Sequence, residues 1–475
     1  MLGLIACALI GASGPRGPSD FDQAVYLPRL DRATQFSRFL EVGGERSVLL
    51  RSENWRESVH PLLRFDVTRP DTAVSYGIDP TAPLTIVLRQ GLEVSCVTVK
   101  SFEKFSAACD ERLKALGTPF KVTEAGVTRY GARDAIDRVL AGYVVKGNEA
   151  CAARHQGKSV EPALKEIAGW LNKAPTGATW KLVSTLPGAG YLLTQRAVIA
   201  MGADGLTATA TARGDLPLYG LTGAGSSPYA AMSMPSLLLA RMRTQPAMTQ
   251  PLLDEVALRL AALCPACEAG PFKLAARALP PTLTGAAVLV VSRVKVVGSL
   301  RTDPGRFFSV KGAAFAETHS PEAALKVLLE LARLRGAKLL DSGDGVSLLL
   351  KEGEVRLGVR GRHVFASNDA ATLESAYKAL PTAPAAQGHG AEVNVDPRLL
   401  AQGLAQVPLM DAIQSTELAG MLAAGAELGP LLLATERITG WADAQRAQLS
   451  WRLKAPPVKD AGVAADAGVP DAGSR

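Results

Sequence analysis

Between Ser101 and Gly117 the apolar residues recur at the three- and four-residue spacing of a helix with one buried face. Those residues are Phe102, Phe105, Cys109, Leu113 and Leu116. Ser101 is a good N-cap, because its hydroxyl can accept a hydrogen bond from an unpaired backbone N–H of the first turn. Gly117 is placed to end the helix in a left-handed conformation. The pattern therefore predicts a strand over 92–100 followed by this helix.

The same spacing of a serine cap and three glycines occurs a second time along the chain. Ser101, Gly117, Gly126 and Gly147 correspond to Ser320, Gly336, Gly345 and Gly361. The first two steps are 16 and 9 residues in both copies, and the third differs by five residues. Gly126 and Gly345 predict tight hairpin turns. The repeated unit therefore predicts the order β-α-β-β-β-α with antiparallel strands.

Two later segments alternate between apolar and polar positions, as strands of a half-buried sheet do. Over 206–212 leucine and alanine alternate with threonine, and over 449–453 leucine and tryptophan alternate with serine and arginine. We therefore predict an α+β fold of two related halves, each an antiparallel sheet with helices packed on one face. The second half carries a longer helical insert over about 397–434.

The predicted organisation has five parts. They are a signal-like segment over 1–14, an N-terminal α+β half over 15–267, a linker over 268–285, a C-terminal α+β half over 286–454 and a disordered tail over 455–475. Gly270-Pro271 and Pro280-Pro281 mark the linker, because both pairs interrupt regular structure. The tail repeats Asp-Ala-Gly at 460, 466 and 471 and holds too few apolar residues to form a core.

The first twelve residues, MLGLIACALIGA, are apolar and too short to span a bilayer. They match the core of a secretory signal peptide, although the usual preceding lysine or arginine is missing. Leu4-Ile5-Ala6-Cys7 also fits a lipoprotein cleavage box, in which Cys7 would be acylated. A cytosolic chain with an apolar first strand is the third alternative. We predict an exported protein, periplasmic or extracellular, with lipid anchoring through Cys7 as an alternative and no transmembrane helix.

Composition narrows the classes of partner. The chain has 475 residues, of which 47% are hydrophobic and 20% charged, so it can form a sizeable core. Its net charge of +7 is spread along the length, and only 5% of residues are aromatic. Nucleic-acid binding needs clustered cations that face phosphates, with aromatic stacking partners in single-strand binders. We therefore expect no nucleic-acid partner.

Six cysteines are present, and removal of Cys7 with a signal peptide would leave an odd number. Aligned on the repeat, Cys96, Cys109 and Cys151 match large apolar residues of the second copy, so we expect all three in the core. Cys96 and Cys151 lie on predicted strands that flank the helix and are the first choice for a disulfide. Pairing of Cys109 with either of them is the alternative.

Cys264 and Cys267 form the one CxxC of the chain, at the predicted C-terminal end of a helix. The helix dipole raises a thiol pKa at that end, whereas reactive CxxC pairs are found at helix N-termini. A zinc site would need two further ligands. The pattern favours a structural disulfide or an inert pair over a redox site.

Motifs for catalysis are incomplete. Ser101-Phe102-Glu103-Lys104 matches the SxxK of serine acylases, but the pattern also occurs at 292–295 and 375–378 and no Lys-Thr-Gly accompanies it. The sequence contains no GxSxG, P-loop or HExxH. The five histidines are scattered, without neighbours at metal-ligand spacing. We therefore predict a protein that is not an enzyme, with no catalytic, cofactor or metal residues.

Several features occur together: the signal-like start, a repeated body that contains Tyr26-Leu27-Pro28 and Gly77-Ile78-Asp79-Pro80, and the Asp-Ala-Gly tail. In these features the chain resembles uncharacterised secreted proteins of high-GC bacteria. The resemblance implies export and assigns no activity to particular residues.

The function predicted from the sequence is that of a non-enzymatic secreted or envelope-associated binding or scaffold protein. The alternative is a carrier of a hydrophobic ligand such as a lipid, which the apolar insert around 418–433 suggests. A hydrolase with an unrecognised site is a third class. The expected partner is accordingly an envelope protein or a hydrophobic ligand.

Overall fold

Strands make up most of the regular structure in the part of the chain that the computed structural model describes. That part comprises residues 17–33, 35, 62, 65, 69–155, 157–171, 173–211, 221–222, 225–245, 278–296, 308–333, 338–340, 344–350, 353–382, 386–405 and 429–455. The first strands are β1 (Gln23–Leu27), β2 (Leu84–Arg89), β3 (Leu92–Thr98), β4 (Thr118–Glu124), β5 (Val127–Arg133), β6 (Val139–Lys146), β7 (Glu149–His155), β8 (Gly190–Thr194), β9 (Ala197–Gly202) and β10 (Gly205–Thr211).

The later strands and the α-helices follow, in addition to two short 3-10 helices at Leu30–Arg32 and Pro280–Thr282. The strands are β11 (Gly225–Ser227), β12 (Leu238–Arg243), β13 (Leu283–Val296), β14 (Phe308–Thr318), β15 (Lys338–Leu339), β16 (Gly345–Leu350), β17 (Gly353–Arg360), β18 (His363–Ser367), β19 (Ala386–Gly388), β20 (Ala391–Val395), β21 (Thr435–Ala442) and β22 (Arg446–Leu453). The helices are α1 (Pro70–Ser75), α2 (Phe102–Leu116), α3 (Glu161–Ala168), α4 (Ala178–Val183), α5 (Pro321–Arg333), α6 (Ala370–Lys378) and α7 (Pro397–Leu404).

Twenty of the described strands are hydrogen-bonded into one antiparallel sheet. From edge to edge the order is β4-β5-β6-β7-β3-β2-β1-β8-β9-β10-β22-β21-β20-β12-β13-β14-β18-β17-β16-β15. At its centre β10 pairs with β22 from Gly205↔Arg452 to Thr211↔Arg446. The prediction of an α+β fold with a separate sheet in each half is therefore wrong, because this pairing makes one continuous sheet.

The two faces of the sheet can be followed across all these strands, because directly paired residues point to the same side and neighbours along a strand to opposite sides. We call face A the side that carries Cys96 and Phe365, and face B the side that carries Tyr143 and Ala208. Core clusters lie on both faces, and strand β3 is buried on both.

The prediction that helices pack on one face is also wrong. Helix α2 buries Phe105 and Cys109 on face B, in the core that contains Tyr143. Helix α3 buries Leu164 on face A, in the core that contains Cys151. In β6 both alternating sets of side chains are mostly apolar, so neither face of this strand could stay in water without cost.

Local signals in the sequence are only partly realised. The Lys104 N–H donates to Ser101 Oγ at 3.5 Å, so the predicted N-cap is present, and α2 ends at Leu116. Gly117 is not in the predicted left-handed conformation: its φ and ψ are 154° and −154°. Gly345 is not a turn residue but the first residue of β16, paired with Gly358. Four strands, rather than three, separate α2 from α3.

Several predicted segments lie outside the described residues. They include the signal-like segment 1–14, residues 268–277 of the linker, residues 406–428 of the helical insert and residues 456–475 of the tail. Helix α7 forms the first part of the insert. Within the described parts, no helix is long and apolar enough to cross a bilayer.

Candidate functional site: an apolar groove at the centre of the sheet

An apolar groove of about 350 Å³ crosses face B at the centre of the sheet, over strands β9, β10, β22, β21, β20 and β12. Its floor consists of two rows of side chains that the strand pairing aligns. The first row is Ala197, Ala210, Ala447, Ala442, Ala391 and Met242. The second row is Ala208, Leu449, Gly440, Val393 and Ala240. Most of these residues are alanine or glycine, so their side chains project little above the backbone of the sheet.

A third row, farther along the same strands, forms a wall on one side of the groove. Its members are large: Leu206, Trp451, Ile438, Val395 and Leu238. Residues of α7 and of the segment before β21 pack behind it, with Ala401 and Leu432 in one buried cluster with Ile438. Trp451 Nε1 donates to Thr435 Oγ1 at 2.6 Å, which fixes the indole ring in the wall.

Large apolar side chains remain accessible along the groove. Met242 is 36% exposed, Leu449 is 40% exposed, and Leu289 of the neighbouring strand β13 is 42% exposed. Contiguous exposed apolar surface of this kind marks binding sites in soluble proteins. The groove is therefore the best candidate for a ligand site among the described residues.

On face A, directly behind the floor, the same strands carry polar side chains. Arg241 Nη1 donates to Glu392 Oε2 at 2.5 Å, and both side chains are largely buried. Thr209 is fully buried beside Gln448 of the neighbouring strand. The predicted alternation is thus present, but the alanine side of β10 is the open one and the threonine side holds a fully buried residue.

A second cluster of polar contacts connects the ends of strands β20, β21 and β22, next to the first row of the groove floor. His389 Nδ1 lies 2.9 Å from Asp443 Oδ2, and the Gly390 N–H donates to Asp443 Oδ1 at 2.8 Å. The His389 ring stacks on Trp441 with centroids 4.2 Å apart, and the Arg446 guanidinium lies 5.8 Å from the Trp441 ring centre. These contacts join the ends of β20, β21 and β22, so they hold the floor in shape.

Another histidine contact lies away from the groove. His363 Nδ1 is 2.9 Å from the Tyr229 hydroxyl, on face A of the sheet. Burial lowers the pKa of His363 and raises the pKa of Tyr229. Tyr229 is fully buried in a hydrophobic cluster, so the contact satisfies a core hydroxyl. The described residues contain no group of three or more His, Cys, Asp or Glu arranged to hold a metal ion.

The cysteine candidates fall into three groups. Cys96 and Cys151, the first choice from the sequence, are directly paired across β3 and β7 and form a disulfide. Cys109 is a free, buried thiol on the other face of the sheet, and burial raises its pKa to about 12. Cys264 and Cys267 lie outside the described residues, as does Cys7.

The groove residues were not recognised from the sequence. The signal was the alternation of alanine with threonine in β10, but alternation alone does not say which side a helix will cover. Residues 418–428 of the apolar segment that suggested a hydrophobic ligand lie outside the described residues. The groove is lined by strands elsewhere in the chain and not by this segment.

Comparison with known proteins gives little further information. No protein-family model and no curated protein matches the chain. Among solved structures, the chain is similar to crystal form I of TP0453 at 8% identity, with a TM-score of 0.22 and coverage of 78% of this chain and 99% of the other. Crystal form III of TP0453 gives 10% identity, a TM-score of 0.22 and coverage of 76% and 96%. A similarity this weak carries no argument about function.

Proposed function

We propose that this protein is a non-catalytic binding protein that carries an apolar ligand, the hydrocarbon part of a lipid, in the groove on face B. The groove is the observation that supports this proposal. The two rows of its floor carry alanine, glycine, valine, leucine and methionine, its volume of about 350 Å³ lies in the range of small-molecule sites, and large apolar side chains beside it are accessible.

The groove favours a carrier over the scaffold that ranked first from the sequence. A scaffold surface requires complementary contacts but no cavity, and its rim is usually polar. Here the polar side chains lie behind the floor on face A, where they pair with one another, as in Arg241 with Glu392. Face B offers an apolar ligand an apolar surface, and removing both surfaces from water favours binding.

We also propose that the protein works in an oxidising compartment, the periplasm or the extracellular space. The Cys96–Cys151 disulfide supports this location, since such bonds are rare in reducing cytosol. Lipid anchoring through Cys7 stays a prediction. Mass spectrometry of the alkylated protein from its native host tests the location: an intact disulfide is expected, and two free thiols at these positions would contradict it.

Ligand binding is tested with the delipidated, oxidised full-length chain and parinaric acid, a fluorescent polyene fatty acid. Two variants alter the floor, Ala208→Asn and Ala447→Phe. Two matched controls place the same residues on the opposite face of the same strands, Thr207→Asn and Ser450→Phe. A buried amide without a partner costs about 1–3 kcal/mol, which is about 5- to 150-fold in affinity. We expect at least about fivefold weaker binding for the floor variants and less than threefold change for the controls.

Circular dichroism and thermal melting confirm that each variant is folded before its affinity is compared. The proposal is overturned if the wild-type chain shows no saturable binding. It is also overturned if the floor variants and their face A controls bind equally well, because the ligand would then sit elsewhere.

A further inference from the structure

The width of the groove floor limits how many hydrocarbon chains can lie in it. The first and second rows are two residues apart along each strand, which is about 6.8 Å. A wall of large side chains closes the side beyond the second row, with Trp451 and Ile438 at its centre. One extended chain fits along this trough, whereas two chains side by side do not.

The length of the groove follows from the strands that it crosses. Six adjacent strands give five spacings of about 4.8 Å, or about 24 Å in all. This length suits an extended hydrocarbon chain that lies across the strands.

We infer that the ligand is one unbranched hydrocarbon chain of about 18 carbons, lying across the strands from β9 to β12. This inference rests on the proposed function and narrows it to single-chain lipids, such as a fatty acid or a lysophospholipid. The carbon number comes from an advance of roughly 1.3 Å per carbon along a zigzag of C–C bonds about 1.5 Å long. Sterols and lipids that bury two chains together are too wide for the trough.

The aliphatic lining predicts how affinity depends on chain length. Each methylene group that leaves water contributes up to about 0.8 kcal/mol, or up to about fourfold in affinity. Affinity should rise with each added carbon while the chain lies in the groove. Beyond about 18 carbons the added methylene groups extend past the described strands β9 and β12, and the affinity should stop rising.

The test is competition against parinaric acid by saturated fatty acids of increasing length, by lysophosphatidylcholines of the same lengths, and by cholesterol. We expect a plateau near 18 carbons in both series and at least tenfold weaker competition by cholesterol. The variant Ala391→Leu places a larger side chain in the first row on β20. The free groove then spans three spacings, about 14 Å, and the plateau should move to about 11 carbons. Asn394→Leu, on face A of the same strand, is the control and should leave the plateau unchanged.

The outcomes separate this inference from the proposed function. If parinaric acid binds but cholesterol competes equally well, or no plateau is found, the single-chain inference fails and the apolar site stands. A plateau that stays in place in a folded Ala391→Leu variant also overturns the inference. If no apolar probe binds the wild-type chain, the proposed function itself fails.

Discussion

Reduction of the Cys96–Cys151 disulfide should destabilise the protein by about 4 kcal/mol. The two cysteines are 55 residues apart, and a cross-link closing a loop of that length lowers the entropy of the unfolded chain by an amount equivalent to about 4 kcal/mol at 25 °C. The loop contains α2 and strands β4, β5 and β6, so the bond constrains one outer part of the sheet. Both cysteines are buried, which keeps the bond away from reductants in the native state.

The assay is urea unfolding, followed by tryptophan fluorescence, of a chain in which Cys7, Cys264 and Cys267 are replaced by serine. In this background the difference between reduced and oxidised protein reports the Cys96–Cys151 bond alone. With an m-value of about 3 kcal/mol/M, a loss of 4 kcal/mol lowers the midpoint by about 1.3 M. The double variant Cys96→Ala/Cys151→Ala should lose this redox dependence, whereas Cys109→Ala should keep it.

A midpoint shift below about 0.3 M on full reduction would refute the reasoning, because the cross-link would then restrict the unfolded chain hardly at all. A redox-dependent shift that persists in the double alanine variant would refute it as well.

Two further predictions concern the central strand pair and a helix cap. Gly205→Ala should destabilise the protein by more than about 1 kcal/mol, because φ of Gly205 is +139° and an added Cβ would collide with the Trp451 carbonyl oxygen. The control is Gly202→Ala, whose added Cβ would lie 3.9 Å from the nearest atom. Equal melting temperatures of the two variants would contradict the prediction. Asp369 caps α6 through the Thr372 N–H, and its hydrogen bond from Lys311 lowers the pKa of the carboxyl from 3.8 to about 2. Asp369→Ala should therefore cost about 2 kcal/mol at pH 7, since one pKa unit corresponds to about 1.4 kcal/mol. That difference should shrink as the pH falls from about 4 to about 2, where the native carboxylate takes up its proton. A difference that is constant with pH would contradict this.

The sequence by itself determined local structure wherever one residue or a short pattern carries the physical cause. Ser101 caps α2 because a serine hydroxyl can accept from the first turn, and the apolar spacing after it placed Phe105 and Cys109 in the core. Gly126 turns the hairpin of β4 and β5, as predicted, with φ of 75°, a conformation that glycine adopts without strain. Pairing of Cys96 with Cys151 was also favoured, because both positions read as apolar strand residues.

Only the tertiary structure decided that the strands form one sheet, and where that sheet stays open. The pairing of β10 with β22 joins residues about 240 positions apart, and strand register over such a distance depends on packing rather than on local preference. Alternation assigns Ala208 and Thr209 to opposite faces, but which face a helix covers depends on the lengths and paths of the connections. The groove needs small side chains from six strands to line up in rows, and no short stretch of sequence contains that information.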